Sequence, residues 1–378
     1  MQESFHKKIF LAILCIVLLL GCQSFADLKE INNIVIVTAT GLDLDKQGKI
    51  EVTTQLLLPQ SSSINGQINS QVNTSAILSG SGHTISEAVN NIEKKCSRQL
   101  FRSHNRVIII SRKLAQSHMS EILDYLMRFR EFRERSLLFI TDKPVSNVLQ
   151  YYPFLEQNSG ELLSKFTKKD GNLSTTVLDA VIQNVSPGKP LMIPMITISP
   201  SNNRIQKNTL SITQAAIFSN NKRVGMMSHD LSYGPQILKN TFWQTVYSIK
   251  LDHGMVGLNI QNVKAQMKPS IRNGEWSITA HVTGEGIVFE NSSNQALIDR
   301  TVQKKIEHSV EKKINMTIKE SAKKSQNLKS DVFDFYSTFY RTYPKECLQV
   351  KDHWNDTFSQ IKLNVSTTFH ITHVGINQ

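Results

Sequence analysis

The sequence predicts a mixed α/β, multidomain ectodomain, in the α+β sense of mixed sheets packed by helices, behind a lipoprotein signal peptide. Three observations predict it. Through the first half, helical periodicity alternates with short β-branched runs, as when Ile85–Cys96 is followed by Val107–Ile110. The second half strings several β patterns together before its longest helical pattern, about residues 295–325. A chain of 378 residues also exceeds what one small core needs.

In chain order, Lys7-Lys8 precede an apolar run, Ile9–Leu20, that ends in Gly21-Cys22. A basic start, a short apolar stretch and a cysteine behind a small residue form a lipoprotein signal peptide over residues 1–21. The run is shorter than the about 20 residues a spanning helix needs. Cys22 is then the lipidated first residue, and residues 22–30 are a short tether. Residues 31–200 form an N-terminal α/β region of one or two domains. Its first strands are Ile34–Val37 and Ile50–Leu58, joined by a turn at Asp43–Gly48.

Residues 60–75 are polar and predict a solvated loop. Ser79-Gly-Ser-Gly82 lacks the Lys-Ser or Lys-Thr that completes a phosphate loop and is expected to turn into a helix capped by Thr84 and Glu87. Ile85, Ala88, Val89, Ile92 and Cys96 keep helical spacing, which places Cys96 on the buried stripe. Strands at Val107–Ile110 and Ser136–Ile140 flank a helix rich in Arg and Glu. Helical pieces follow over 144–166 and 173–185. Pro194 demotes Leu191–Ile198 to an edge or linker strand, and the polar residues 199–208 are expected to connect domains.

Residues 208–378 form the C-terminal α/β region. Strands are expected at Leu210–Phe218, Arg223–Ser228, Thr245–Leu251, Val256–Met267 and Trp276–Phe289, with a short helix at Leu231–Asn240 and Asn273-Gly274 as a hairpin turn. Ile298, Val302, Ile306, Val310, Ile314 and Ile318 recur every fourth residue. Each step of four advances about 40° around a helix, so the stripe winds and disfavours a coiled coil. The helix is expected to lie across a twisted sheet, with Lys304, Lys305, Lys312, Lys313, Lys319, Lys323 and Lys324 facing water or an anionic surface. Asp331–Tyr343 predicts a further helix broken by Pro344. Trp354 and Phe358 belong to a short helix, and the strand from Ile361 is expected to join the second-half sheet.

Without residues 1–21 the chain carries 41 basic against 30 acidic side chains. On an exported chain this surplus favours anionic headgroups or an acidic partner; no nucleic-acid motif is present. Cys96 and Cys347 do not make a disulfide framework and are expected to be separate buried thiols, although one bridge between them stays open. No metal spacing, Walker loop, Gly-x-Ser-x-Gly elbow or dinucleotide fingerprint occurs, so the sequence predicts no enzyme, no cofactor and no metal site. His370 and His373 are three apart on a strand and point to opposite faces. Arg128, Arg130, Arg133 and Arg135 either pair with Glu131 and Glu134 or offer donors to an acidic partner.

Six segments, in this order, carry a resemblance. They are Gly21-Cys22 with Leu28-Lys-Glu-Ile-Asn-Asn-Ile-Val-Ile-Val37; Ser81-Gly-His-Thr-Ile-Ser-Glu-Ala88; Ser103-His-Asn-Arg-Val-Ile-Ile-Ile-Ser111; Arg128-Phe-Arg-Glu-Phe-Arg133; Ala215-Ala-Ile-Phe218 with Val224-Gly225; and Trp354 to Gly375. Together they make the chain similar to the Ger(x)C lipoproteins, the C subunits of nutrient germinant receptors of endospore-forming bacteria. The resemblance implies three mixed α/β domains. It also implies a non-enzymatic receptor subunit, lipid-anchored through Cys22 on the outer face of the spore inner membrane and partnered by polytopic A and transporter-like B subunits. It transfers no nutrient-binding residue. A solute-binding lipoprotein that captures the nutrient itself is the alternative.

Overall fold

A computed structural model of the chain describes residues 33–58, 74–129, 131–167, 172–185, 190–201, 208–219 and 222–374. Cys22, the signal peptide, the tether, the loop expected over 60–75 (up to residue 73) and Arg130 lie outside them. Among the described residues, nine strands form one sheet and four form a second.

The first sheet opens on β1 (Ile34–Leu44), β2 (Ile50–Leu57) and β3 (Ser75–Gly82), an antiparallel meander. The helix α1 (Ile85–Glu93) then returns the chain to the other side of β1. There β4 (Gln99–Phe101) and β5 (Val107–Ser111) pair with β1 in parallel, one after the other along its length. Next, α2 (Arg112–Arg128) leads to β6 (Leu137–Thr141), parallel to β5. The short helices α3 (Val145–Leu149), α4 (Ser159–Phe166) and α5 (Val177–Val185) precede β7 (Leu191–Pro200). The sheet closes with β8 (Asn208–Ser219) and β9 (Lys222–Ser228), both antiparallel to their neighbours.

Alternation along β5 explains the layers. Ile108 and Ile110 pack with α1, α2 and α5, whereas Val107 and Ile109 pack with α3 and α4 on the opposite face. Buried Gln55 locks that second layer. Its Nε2 donates to Leu149 O at 2.7 Å and to Ser159 Oγ at 3.0 Å, while its Oε1 accepts from Gly160 N at 3.2 Å and Thr38 Oγ1 at 3.0 Å.

The second sheet comprises β10 (Gln244–Leu251), β11 (Gly254–Arg272), β12 (Glu275–Asn291) and β13 (Lys362–His373), in that order. Asn273 and Gly274 turn β11 into β12 with φ of 51° and 78°, the left-handed pair that a two-residue hairpin requires. Packed on this sheet are α6 (His229–Leu238), α7 (Arg300–Asn327) and three short helices, α8 (Phe335–Tyr340), α9 (Pro344–Gln349) and α10 (Trp354–Ser359).

Along α7, Ile306, Val310, Ile314 and Ile318 are buried, as the four-residue spacing predicts. Beside them runs a second row with the same spacing. Glu307 accepts from Ile371 N at 3.0 Å, Glu311 from Phe369 N at 3.0 Å and Asn315 from Thr367 Oγ1 at 2.7 Å. Four residues of helix rise about 6 Å and two of strand about 6.7 Å, so the row tracks β13 and covers an edge that would otherwise be open for pairing.

Several expectations are corrected. The helix expected over 295–325 begins at Arg300, because Asp299 caps it by accepting from Thr301 N at 2.7 Å; Ile298 precedes it and is exposed. β8 and β9, expected with the second half, hydrogen-bond to β7 and belong to the first sheet, although α6 shares their buried Ala215, Ile217 and Met227 with the second-half core. Strand β7 lies inside the sheet despite Pro194. Next to its first half, the segment at Thr175 takes β6's place: Leu138 N donates to Thr175 O, Thr175 Oγ1 donates to Met192 O, and β6 meets β7 only at Met195 and Ile196. Pro194 therefore sits where the pairing on that side changes hands.

Ser79-Gly-Ser-Gly82 belongs to strand β3. A Cβ at Gly80 would lie 2.5 Å from Ala88 O, and one at Gly82 would lie 2.6 Å from Ala88 N. The glycines let α1 press on the strand. Helix α1 ends at Glu93, so Cys96 falls beyond it and is half-buried; it and buried Cys347 are both free thiols. The helix expected over Asp331–Tyr343 is reduced to α8, since Asp334 turns left-handed at φ 60°, and Pro344 starts α9 at its first position instead of only ending a helix.

Candidate functional site

Helices α5 and α6 and the turn at Asp331 border a cleft of about 620 Å³ between the two sheets, a size that suits small ligands. One wall is Leu173, Thr175, Asp179, Ile182 and Met192; the other is Gln236, Lys239, Trp243, Asp331 and Val332. The α5 wall is set by a reciprocal cap: Asp179 N donates to Thr176 Oγ1 at 3.1 Å and Asp179 Oδ2 accepts from Thr176 N at 2.9 Å. Trp243, just before β10, is 71% exposed, and it and half-exposed Ile182 both line the cleft, one from each wall.

Asp331 is the buried acid of the cleft. It accepts from Phe335 N at 3.0 Å, Tyr336 N at 2.9 Å and Trp354 Nε1 at 3.1 Å. Burial pushes its carboxyl up to about 6, against the lowering effect of those three donors. The cleft thus brings together a buried acid, Lys239 and an aromatic face, a lining suited to a small polar molecule.

A second constellation organises the segment that holds the arginine cluster. Arg102, 4% exposed, donates through Nη1 to Glu131 at 2.9 Å and through Nη2 to Glu93, and its guanidinium lies 5.5 Å from the centre of the Phe129 ring. Tyr125 stacks on Phe129 at 5.4 Å, with Phe132 closing the group at 5.9 Å from Phe129. Burial pushes the Tyr125 hydroxyl up to about 12. One guanidinium therefore ties the end of α1 to the turn between α2 and β6.

The expected internal pairing is corrected accordingly: Glu131 is engaged by Arg102, Arg128 pairs with Asp124 at 2.8 Å on the surface, and Arg133 and Arg135 are exposed. His370 points its ring toward Glu307 at 4.0 Å. Among the described residues, no group of three or more His, Cys, Asp and Glu side chains is placed to hold a metal ion, and no helix is long and apolar enough to cross a membrane.

Sequence patterns missed Arg102, Asp331 and Trp243. Arg102 stands in an otherwise polar turn, and its buried role depends on two glutamates 9 and 29 residues away. The only local signal for Asp331 was an acid next to an aromatic run.

Comparison with known proteins adds to this geometry. Residues 27–198 match the family model described as spore germination protein N-terminal domain, and residues 213–375 match the one described as spore germination B3/GerAC like, C-terminal. The seam between the two matches falls within the β7–β8 hairpin. A putative spore germination protein, YfkR, of Bacillus subtilis is 25% identical over 100% of this chain and 98% of its own length. Spore germination protein KC of the same organism is 24% identical over 97% and 95%, and spore germination protein GerQC of Bacillus cereus is 22% identical over 98% and 100%. The crystal structure of the GerBC protein superposes with a TM-score of 0.59 at 21% identity, covering 88% of this chain and 97% of that one, a likeness of fold.

Proposed function

The chain belongs to the Ger(x)C family of spore germination proteins, the C subunits of germinant receptors, and from that premise we propose that it acts as a lipid-anchored, non-catalytic receptor subunit. In this reading Cys22 carries the lipid, the chain sits on the outer face of the spore inner membrane, and it works through contacts with membrane-embedded A and B subunits. The observation that carries it is the pair of family matches running in order along 27–198 and 213–375, behind a lipoprotein-type Lys7–Cys22 stretch. Two acyl chains at about 0.8 kcal/mol per buried methylene make an anchor that one chain does not.

Cys22→Ala is expected to move the protein from the membrane fraction to the soluble fraction and to impair nutrient-triggered germination. Normal germination by spores whose variant is fully soluble would overturn the reading.

The cleft beside Trp243 favours a second reading, in which the subunit itself captures the nutrient. Titration calorimetry of the purified protein with amino acids and sugars is expected to give saturable heat that Trp243→Ala abolishes. A flat titration across these compounds removes this second reading and leaves the first intact.

A further inference from the structure

We propose that the end of the first sheet at which its parallel strands begin is the face that rests on an anionic bilayer, with Phe154 and Leu155 entering the headgroup region. The inference deepens the membrane-anchored reading and rests on it for the direction in which the tether leads.

Strands β1, β4, β5 and β6 run parallel: β5 and β6 begin level with Ala39 of β1, and β4 begins opposite Ile34, five residues nearer the start of β1, so the segments before all of them lie toward the end of the sheet where β1 begins. Backbone bonds hold the starts of β5 and β6 level with Thr38 of β1: Arg106 N donates to Thr38 O at 3.0 Å, and Leu137 N donates to Arg106 O at 2.8 Å. The chain leading from Cys22 enters at this end, at Asn33, eleven residues later, a distance of at most about 40 Å even if fully extended. A bilayer holding Cys22 therefore lies within that reach of this face.

The loop between α3 and α4 is pinned to the same end on both sides of its tip. Tyr152 Oη donates to Ser75 O at 3.0 Å, and Thr74 Oγ1 donates to Gln157 O. Ser75 stands opposite Leu57, whose neighbour Leu56 pairs with Val37 of β1, so the loop is held at the level where β5 and β6 begin. Between these pins, Phe154 is 63% and Leu155 is 85% exposed. Single exposed apolar residues are ordinary on a protein surface; two large adjacent ones at a loop tip, behind Pro153, are the shape of an interfacial wedge.

Charge complements the wedge. Arg98, Arg106, Arg133 and Arg135 precede β4, β5 and β6, are exposed, and form no ion pair among the described residues. Nearby acids are largely taken: Arg102 engages Glu93 and Glu131, and Lys165 engages Glu156 and Glu161, which leaves Glu134. Basic side chains around an apolar tip match phosphate headgroups over acyl chains. The other basic surface, the lysine face of α7, exposes Met316 alone among large apolar residues and has no such tip.

The test uses the full lipidated protein with Cys96→Ser, carrying an environment-sensitive fluorophore on Leu155→Cys or, as reference, on Met316→Cys. Each is placed on phosphatidylcholine vesicles with and without phosphatidylglycerol. The label at 155 is expected to shift to the blue and to be quenched by a lipid-borne quencher, more strongly with phosphatidylglycerol and less in high salt, while the label at 316 stays as in water. A water-like label at 155 on bound protein, a response at 316 in its place, or a response at 155 only after the membrane subunits are added would overturn the proposal, the last in favour of a protein partner. Should the protein wash off the vesicles, the lipid-anchor reading fails, and the shift at 155 on mixing with phosphatidylglycerol vesicles still decides the face.

Discussion

Trp354→Ala is expected to destabilise the second-half core by about 5 kcal/mol, the sum of a large buried aromatic deleted and a charge-assisted hydrogen bond lost. Trp354 is 1% exposed, and its ring centre lies 5.0 Å from Tyr336, 5.8 Å from Trp276 and 6.2 Å from Phe339. Removing it empties the middle of that group and takes one of three donors from Asp331. A loss of this size is comparable to the whole stability of many domains, about 5–15 kcal/mol. Trp354→Phe keeps most of the packing and is expected to lose about 1–3 kcal/mol, largely the hydrogen bond.

The same variant carries a pH signature. Asp331 holds its proton more tightly folded than unfolded, since burial raises it from 3.8 to about 6. Its contribution to stability is thus fully present below pH 3.8 and is lost as pH rises through about 6. With one donor fewer the carboxylate is less well held, the folded value rises further, and the decline extends to higher pH. Urea unfolding of wild type and Trp354→Ala from pH 5 to 8 checks both points. Parallel pH profiles would remove the assigned role of the indole N–H, and an unchanged midpoint would remove the packing role.

Arg102→Ala is expected to cost about 2–3 kcal/mol and to open the turn between α2 and β6. The guanidinium is buried, but its partners Glu93 and Glu131 are 44% and 42% exposed, so the abandoned carboxylates regain water and the loss stays below that of a fully buried pair. Arg102→Lys is expected to restore less than half, because an ammonium cannot fork between two carboxylates while lying over Phe129. Trypsin cleavage between Arg128 and Arg135 reports the opening. Faster cleavage in Arg102→Ala with intermediate cleavage in Arg102→Lys is the expected order, and equal rates in all three would show that the ion pairs do not hold the turn.

Much of the fold was legible because it is encoded over short distances. Ile306, Val310, Ile314 and Ile318 announce a helix on a sheet through spacing alone, and Asn273-Gly274 names its own turn. Thr84 and Glu87 likewise declare the start of α1: Glu87 N donates to Thr84 Oγ1 at 3.1 Å and Glu87 Oε2 accepts from His83 N at 2.8 Å. The misses share a different cause. Pro194 argued for an edge because one strand's sequence cannot show that Thr175 shields the position. Ser79-Gly-Ser-Gly82 suggested a turn because glycine marks both turns and close packing, and the distinction lies in α1, which presses on it.

The candidate site divides in the same way. The proposal for Cys22 rests on contiguous sequence, since a lipoprotein signal is recognised as an extended segment with no fold required. The arginine run was visible as composition, yet which arginine was buried depended on Glu93 and Glu131 arriving at Arg102 from separate elements. The cleft beside Trp243 and the arginines gathered before β5 and β6 were invisible for the same reason.

By itself, then, the sequence determined the family, the α/β class, and the identity of most strands and helices, all of which depend on contiguous residues and their periodicity. Only the tertiary structure decided that β8 and β9 join the first sheet, that the glutamates of α7 cover the edge of β13, and which charged side chains are buried. Those outcomes depend on partners brought together by strand order, and strand order is set by the competition among all the apolar faces for a common core.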